Sequence, residues 1–244
     1  MEIIQVKNYK EMSLRAAGLF AYYIKSNPQA VLGLATGGTP VGMYRQLAAL
    51  KNQFDASRVT TFNLDEYEGL PPHHPQSYYA YMKRYVFDPL GLSRAQTNLP
   101  RGDAHDLEAE CRRYEQLIKD YGYIDLQLLG IGENGHIGFN EPGTSFTSRT
   151  HLVTLKSSTR EANARYFKQP DLVPDRAITA GIATIMSSSW IVLLASGPKK
   201  SKALEKLLTG EIHESFPASI LREHPRVTII ADNSALSTAS SGHR

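Results

Sequence analysis

The stretch Leu126–Pro142, reading LQLLGIGENGHIGFNEP, constrains this chain more than any other. It opens within a largely apolar run, Ile124 to Ile131, of the kind that forms a buried strand. It then breaks into Gly130, Gly132, Glu133, Asn134, Gly135, His136, Asn140 and Glu141. A buried strand that ends in glycines, a histidine and a carboxylate matches the carboxyl edge of an open α/β sheet, where such folds place their sites. A lone histidine there often does no more than hydrogen-bond backbone. The question is what else reaches the same edge.

Three other segments that read as buried strands end in polar chemistry. Ala30–Ala35 leads into Thr36-Gly37-Gly38-Thr39-Pro40 and then a helical pattern from Val41 to Leu50. Glycines let backbone approach a ligand, and the N–H groups and dipole of a helix start favour negative charge. This turn lacks the lysine and spacing of a P-loop and the G-x-G-x-x-G of a dinucleotide fold. A phosphate monoester is the expected ligand; a tight turn needing glycine for geometry alone is the alternative. Val59–Leu64 ends in Asp65-Glu66-Tyr67, and Trp190–Ala195 in Ser196-Gly197-Pro198-Lys199-Lys200-Ser201-Lys202. If the sheet is parallel, all four ends share one rim. An anion turn, a carboxylate and a His/Glu cluster on one rim describe proton transfer on a phosphorylated substrate. No nucleophile elbow or Ser-His-Asp ordering appears.

The remaining chain fits an α/β architecture: an open, mostly parallel Rossmann-like sheet with helices on both faces. Glu2–Val6 reads as a first strand, and Asn8 caps a helix that Asn27-Pro28 ends. Ser77–Val86 reads as a helix with Tyr78, Tyr81 and Tyr85 packing on one face, broken by Asp88-Pro89-Leu90-Gly91. Asp106–Tyr121 is amphipathic and stopped by Gly122. His151–Leu155 and Val227–Ala231 read as strands, Ala177–Met186 as a short extended piece and then a helix, and the Ser-rich end from Ser237 as frayed. Ser157–Phe167 reads as a short helix carrying Arg160 and Arg165, so the segment around 151–180 suits a small lid. With no linker or repeat, residues 1–244 form one expected domain.

Composition narrows the classes. At 244 residues with 41% hydrophobic and 21% charged side chains, the chain is an ordinary globule. A net charge of +3 gives no basis for a nucleic-acid partner. The single cysteine, Cys111, forbids an intrachain disulfide and sits as filler in a helix. The N-terminus lacks a signal peptide's pattern, and no apolar run approaches the roughly twenty residues that span a bilayer. A cytoplasmic protein, not a membrane protein, is expected. His73-His74 lack further ligands at metal spacing, so neither a metal nor a cofactor is expected.

Five separated, ordered segments carry a family resemblance: LGLATGGTP at Leu32–Pro40, NLDEYEGL at Asn63–Leu70, GIGENGHIGFNEPG at Gly130–Gly143, TREANARYF at Thr159–Phe167 and PASIL at Pro217–Leu221. The chain resembles the glucosamine-6-phosphate deaminase (glucosamine/galactosamine-6-phosphate isomerase) family over essentially its whole length. The resemblance implies a hydrolase-class isomerising deaminase of amino-sugar catabolism and N-acetylglucosamine utilisation. Its members turn glucosamine 6-phosphate into fructose 6-phosphate and ammonia. It further implies that His136, held by Asn134 and Glu141, opens the sugar ring, and that Asp65 takes the C2 proton. Gly37, Gly38, Thr39, Arg165 and Lys200 resemble the phosphate-binding groups; Lys200 is chosen over Lys199 and Lys202 by its spacing after Gly197.

Many members have aspartate where this chain has Asn134, which implies a larger share for Glu141. Allosteric hexamers of the family carry basic residues where this chain has His151-Leu152-Val153. A monomer or small homo-oligomer with hyperbolic kinetics is therefore expected rather than an allosteric hexamer. Two alternatives are a 6-phosphogluconolactonase-like hydrolase and a non-catalytic sugar-phosphate sensing domain. Asp65-Glu66-Tyr67 with Phe139–Pro142 speaks against the first. The second would normally bring a DNA-binding helix-turn-helix, for which the chain has no spare segment.

Overall fold

The computed structural model describes residues 1–155 and 173–237. Arg160, Arg165, the Ser157–Phe167 helix and the tail beyond Ser237 lie outside the described residues, as does the middle of the lid reading.

The main sheet has seven strands among the described residues: β1 (Glu2–Val6), β2 (Val31–Leu34), β3 (Thr60–Asn63), β5 (Thr97–Asn98), β6 (Leu126–Gly130), β9 (Trp190–Ala195) and β10 (Val227–Asp232). Their spatial order is β1-β10-β9-β6-β2-β3-β5, and every pairing is parallel. The inner strands β2 and β9 are continuous apolar runs, and the polar residues of β6 and β10 are buried with them, because helices cover both faces of the sheet. From β2 the chain runs outward through β3 to β5. It then returns to the other side of β2 as β6 and continues to β9 and β10. The reversal between β2 and β6 opens a crevice at their carboxyl ends, the usual ligand position in an open α/β sheet.

Helix α1 (Tyr9–Ser26) starts where Asn8 Oδ1 accepts the N–H of Glu11 at 3.0 Å, and buries Met12, Ala16, Phe20 and Ile24 on one stripe. It packs beside α2 (Val41–Ala49). On the other face α5 (Leu107–Asp120), capped by Asp106, seats Tyr114 and Ile118 on Val31 and Phe62. Cys111 is buried in this helix, and burial pushes its thiol up to about 11. It is packing, as its surroundings in sequence suggest.

Two expectations need correction. Asp65-Glu66-Tyr67, read only as the charged end of the third strand, forms a short strand of its own, β4 (Asp65–Tyr67), in a second sheet. It pairs antiparallel with β8 (Arg176–Thr179), which pairs antiparallel with β7 (His151–Thr154). Asp-Glu-Tyr carries no apolar alternation, so only its partner β8 reveals it as a strand. Second, the tyrosine helix does not break at Asp88-Pro89 but runs on to Leu90. α3 (Tyr78–Met82) widens into a π turn at Lys83–Phe87, and Asp88–Leu90 restarts it as α4. Pro89 directly follows the π turn, and Gly91 at φ 70° ends the helix. After β8 come α6 (Ile182–Met186) and, beyond β9, α7 (Ser201–Thr209). No helix among the described residues is long and apolar enough to cross a membrane.

Candidate active site

A cavity of about 520 Å³ lies at the β2/β6 switch point. Its wall is built by three loops, each leaving a parallel strand at the same rim, with β4 closing one side. Gly37, Gly38 and Thr39 line it from the end of β2, Asn134 and His136 from the end of β6, Lys200 from the end of β9, and Asp65 from β4. Glu141 stands behind Asn134. Arg165 lies outside the described residues.

The histidine loop is held by its own hydrogen bonds. Asn134 Nδ2 donates to Glu141 Oε2 at 2.7 Å, and Asn134 Oδ1 lies 2.8 Å from His136 Nδ1. A carboxylate only accepts, so the amide nitrogen must face Glu141 and the amide oxygen must face the imidazole. His136 Nδ1 therefore carries the proton, leaving Nε2 as the acceptor nitrogen of the neutral ring. Glu141 Oε1 is also 3.8 Å from His136 Nδ1, near enough for its charge to act on the ring directly as well as to orient it through the amide. The ring also fills the space beside Gly132, where a Cβ would sit 2.2 Å from Nδ1. Any side chain at 132 would displace the imidazole.

Asp65 meets this loop across the cavity. A Cβ on Gly138 would sit 3.7 Å from Asp65 Oδ2 and 3.1 Å from Thr179 Oγ1, so the carboxyl borders the histidine loop. Asp65 is 6% exposed, and burial, with Glu66 adding repulsion, pushes it up to about 8. Its neighbour Glu66 is buried too and is raised to about 7, although it accepts the N–H groups of Tyr67, Tyr78 and Tyr79. Those bonds pin the start of α3 to β4. Tyr78 consequently turns into the cavity, its ring 4.7 Å from Tyr67 and 6.0 Å from Phe139 between centroids. A packing role alone does not describe Tyr78. Helical spacing could show that the tyrosines share a face, but not that the face borders a cavity.

At the Gly37–Thr39 end of the cavity, Gly37 adopts φ 96°, a backbone conformation open to glycine. Lys200 closes this end from the Gly197 turn. Burial holds its ammonium below the usual lysine range, against the opposing pull of Glu133. Asp232 anchors that turn, accepting from Ser196 Oγ and from the Gly197 N–H. Sequence reasoning missed Asp232, which sits in the last strand as one acidic residue after an apolar run. Among the described residues no cluster of three or more His, Cys, Asp or Glu side chains is placed to hold a metal.

The glucosamine-6-phosphate isomerases/6-phosphogluconolactonase family model matches residues 8–230. The chain belongs to this family. It is similar to glucosamine-6-phosphate deaminase of Halalkalibacterium halodurans, with 55% identity over 97% of each chain. A solved monomeric glucosamine-6-phosphate deaminase superposes with a TM-score of 0.95 at 54% identity, covering 97% of this chain and 99% of that one. The 6-phosphogluconolactonase of Thermotoga maritima superposes at 0.76 with 19% identity over 95% and 99% of the two chains, a likeness of fold alone.

Proposed function

We propose that this protein converts glucosamine 6-phosphate and water to fructose 6-phosphate and ammonia. The observation that carries this reading is the opposition, across one cavity, of the buried Asp65 carboxyl and the His136–Asn134–Glu141 relay. It is supported by the identity to deaminases over nearly the whole chain.

In the proposed sequence, the sugar phosphate enters as a ring with its phosphate on the Gly37–Thr39 turn and Lys200. His136 Nε2 takes the anomeric hydroxyl proton and returns it to the ring oxygen as the C1–O5 bond breaks, giving the open-chain aldehyde. Asp65 removes the C2 proton. The electron pair moves into a C1–C2 double bond, and the carbonyl oxygen takes a proton from the substrate's own C2 ammonium, leaving a neutral enolamine. Proton return to C1 leaves an imine at C2, and water adds there to release ammonia and the ketose. The balance, water in and ammonia out, is that of a hydrolysis. The substrate's own C2 ammonium placed beside Asp65 lowers the carboxyl's proton affinity, so the base forms when substrate arrives.

The motif match adds Arg165 as a further phosphate group, and residues 1–244 are read as one domain with a lid around 151–180. A lactonase needs no base at C2, and the buried Asp65 favours the deaminase over it. The test is a time course in which glucosamine 6-phosphate and 6-phosphogluconolactone are offered separately. Equal release of ammonia and fructose 6-phosphate from the first, with no lactone hydrolysis above background, is expected. Lactone hydrolysis without ammonia release overturns the reading.

A further inference from the structure

Three tyrosine hydroxyls converge on the carbonyl oxygens of the Ala35–Thr39 turn. Tyr44, fully buried in α2, donates to Ala35 O at 2.6 Å. Tyr81, in α3, donates to Gly37 O at 2.6 Å. Tyr9, at the start of α1, is shared between Gly38 O at 3.2 Å and Thr39 O at 3.1 Å, and accepts the Gly42 N–H at 2.8 Å. These tyrosines come from three different helices, so the arrangement is not a by-product of one helix face.

A trans peptide is planar, with its C=O and the following N–H pointing in opposite directions. Fixing the carbonyl of one residue therefore aims the N–H of the next. Tyr44 on Ala35 O sets the Thr36 N–H, Tyr81 on Gly37 O sets the Gly38 N–H, and Tyr9 on Gly38 O sets the Thr39 N–H. The residues whose amides are aimed in this way line the cavity. Among the described residues no backbone carbonyl accepts the N–H of Gly38 or Thr39. Glycine at 37 and 38 would otherwise let these peptide planes flip, turning carbonyl oxygens toward an anion and costing affinity.

We propose that Tyr9, Tyr44 and Tyr81 are positioning residues of the anion turn: their hydroxyls hold its carbonyls outward and so keep its amide donors directed at the substrate's phosphate. This rests on the reading that the turn binds phosphate. The tyrosines touch the turn and not the reacting carbons, so their effect belongs to binding.

The test compares wild type with Tyr9→Phe, Tyr81→Phe and the double variant; both positions are at least partly exposed and keep their rings as phenylalanine. Two quantities are read: the Kd of inorganic phosphate by calorimetry, and the KM and kcat for glucosamine 6-phosphate. Each loss of a neutral hydrogen bond is expected to weaken phosphate binding and raise KM by about two- to tenfold. The double variant is weaker than either single one, and kcat stays within about twofold. A double variant that binds phosphate as wild type does overturns the proposal, as does a fall in kcat with Kd unchanged. A wild type that binds no phosphate overturns it as well. Calorimetry needs no turnover: a wild type that binds phosphate but releases no ammonia overturns the proposed reaction, while the variants' Kd values still decide this inference.

Discussion

Nδ1 of His136 lies 2.8 Å from Oδ1 of Asn134, and that contact fixes which nitrogen of the imidazole is left as the acceptor. The amide cannot flip, because its nitrogen is committed to Glu141 at 2.7 Å. An amide thus does by orientation what a carboxylate at the same place would also do by charge. Replacing Asn134 with Leu removes the orientation and leaves Glu141 without its donor. We expect kcat to fall by about a hundredfold or more, the scale of a mispositioned acid–base group, with KM within about threefold. Steady-state kinetics at neutral pH checks this, and an unchanged kcat contradicts it.

Gly132→Ala tests the same geometry from the other side. A Cβ 2.2 Å from Nδ1 forces the ring to move. A displacement of about 1 Å is enough to cost roughly a hundredfold in rate. Thermal unfolding measured alongside should show the variant folded.

Asp65 carries a pH signature with a definite sign. Its proton affinity in the fold is raised to about 8. As pH climbs from the ordinary carboxylate range toward 8, the unfolded chain gives up its proton first, so the fold loses stability over that window. Asp65→Asn removes the penalty. At pH 7.5 we expect it to be more stable than wild type by about 1 kcal/mol or more, roughly 2–4 °C in Tm, while turnover is lost. A lower Tm at that pH contradicts the burial argument.

The Gly37–Thr39 turn, the carboxyl after β3 and the histidine loop were legible because each follows a short strand-like segment, apolar in two cases and rich in β-branched residues in Val59–Leu64. The parallel sheet then carried all of them to one rim. Lys200 stood out by its distance from Gly197, and it lines the cavity. What could not be read depends on contacts remote in sequence. β4 is a strand because Ile178 and its neighbours lie beside it, and Asp-Glu-Tyr alone has no strand pattern. Tyr9 reaches the turn at Gly38 and Thr39 from the start of α1, and no spacing rule links them. Glu141 holds Asn134 and also stands 3.8 Å from the His136 ring, a detail of side-chain geometry that residue types leave open.

Lys200→Met isolates the anion end. Losing a charged hydrogen-bond donor that burial has already stripped of water is expected to raise KM by about ten- to a hundredfold, with a smaller effect on kcat. The same change at Lys199 or Lys202 should leave KM within about twofold. Equal effects at all three positions would mean that net charge, not placement, binds the phosphate.

β7 presents His151, Leu152 and Val153, without a lysine or arginine. Initial rates should therefore rise hyperbolically with substrate, and N-acetylglucosamine 6-phosphate should leave the curve unchanged. A sigmoidal curve that this sugar phosphate straightens contradicts the expectation.

The division of labour between His136 and Asp65 is tested most directly by following deuterium from C2 of glucosamine 6-phosphate in wild type, Asp65→Asn and His136→Gln. Wild type should release ammonia and fructose 6-phosphate in equal amounts, slowed by the label at C2 and carrying part of it to C1. Asp65→Asn should do neither, and His136→Gln should turn over slowly with the label no longer slowing it, because ring opening has become limiting. Release of ammonia by Asp65→Asn at the wild-type rate, or by none of the three proteins, would contradict the account.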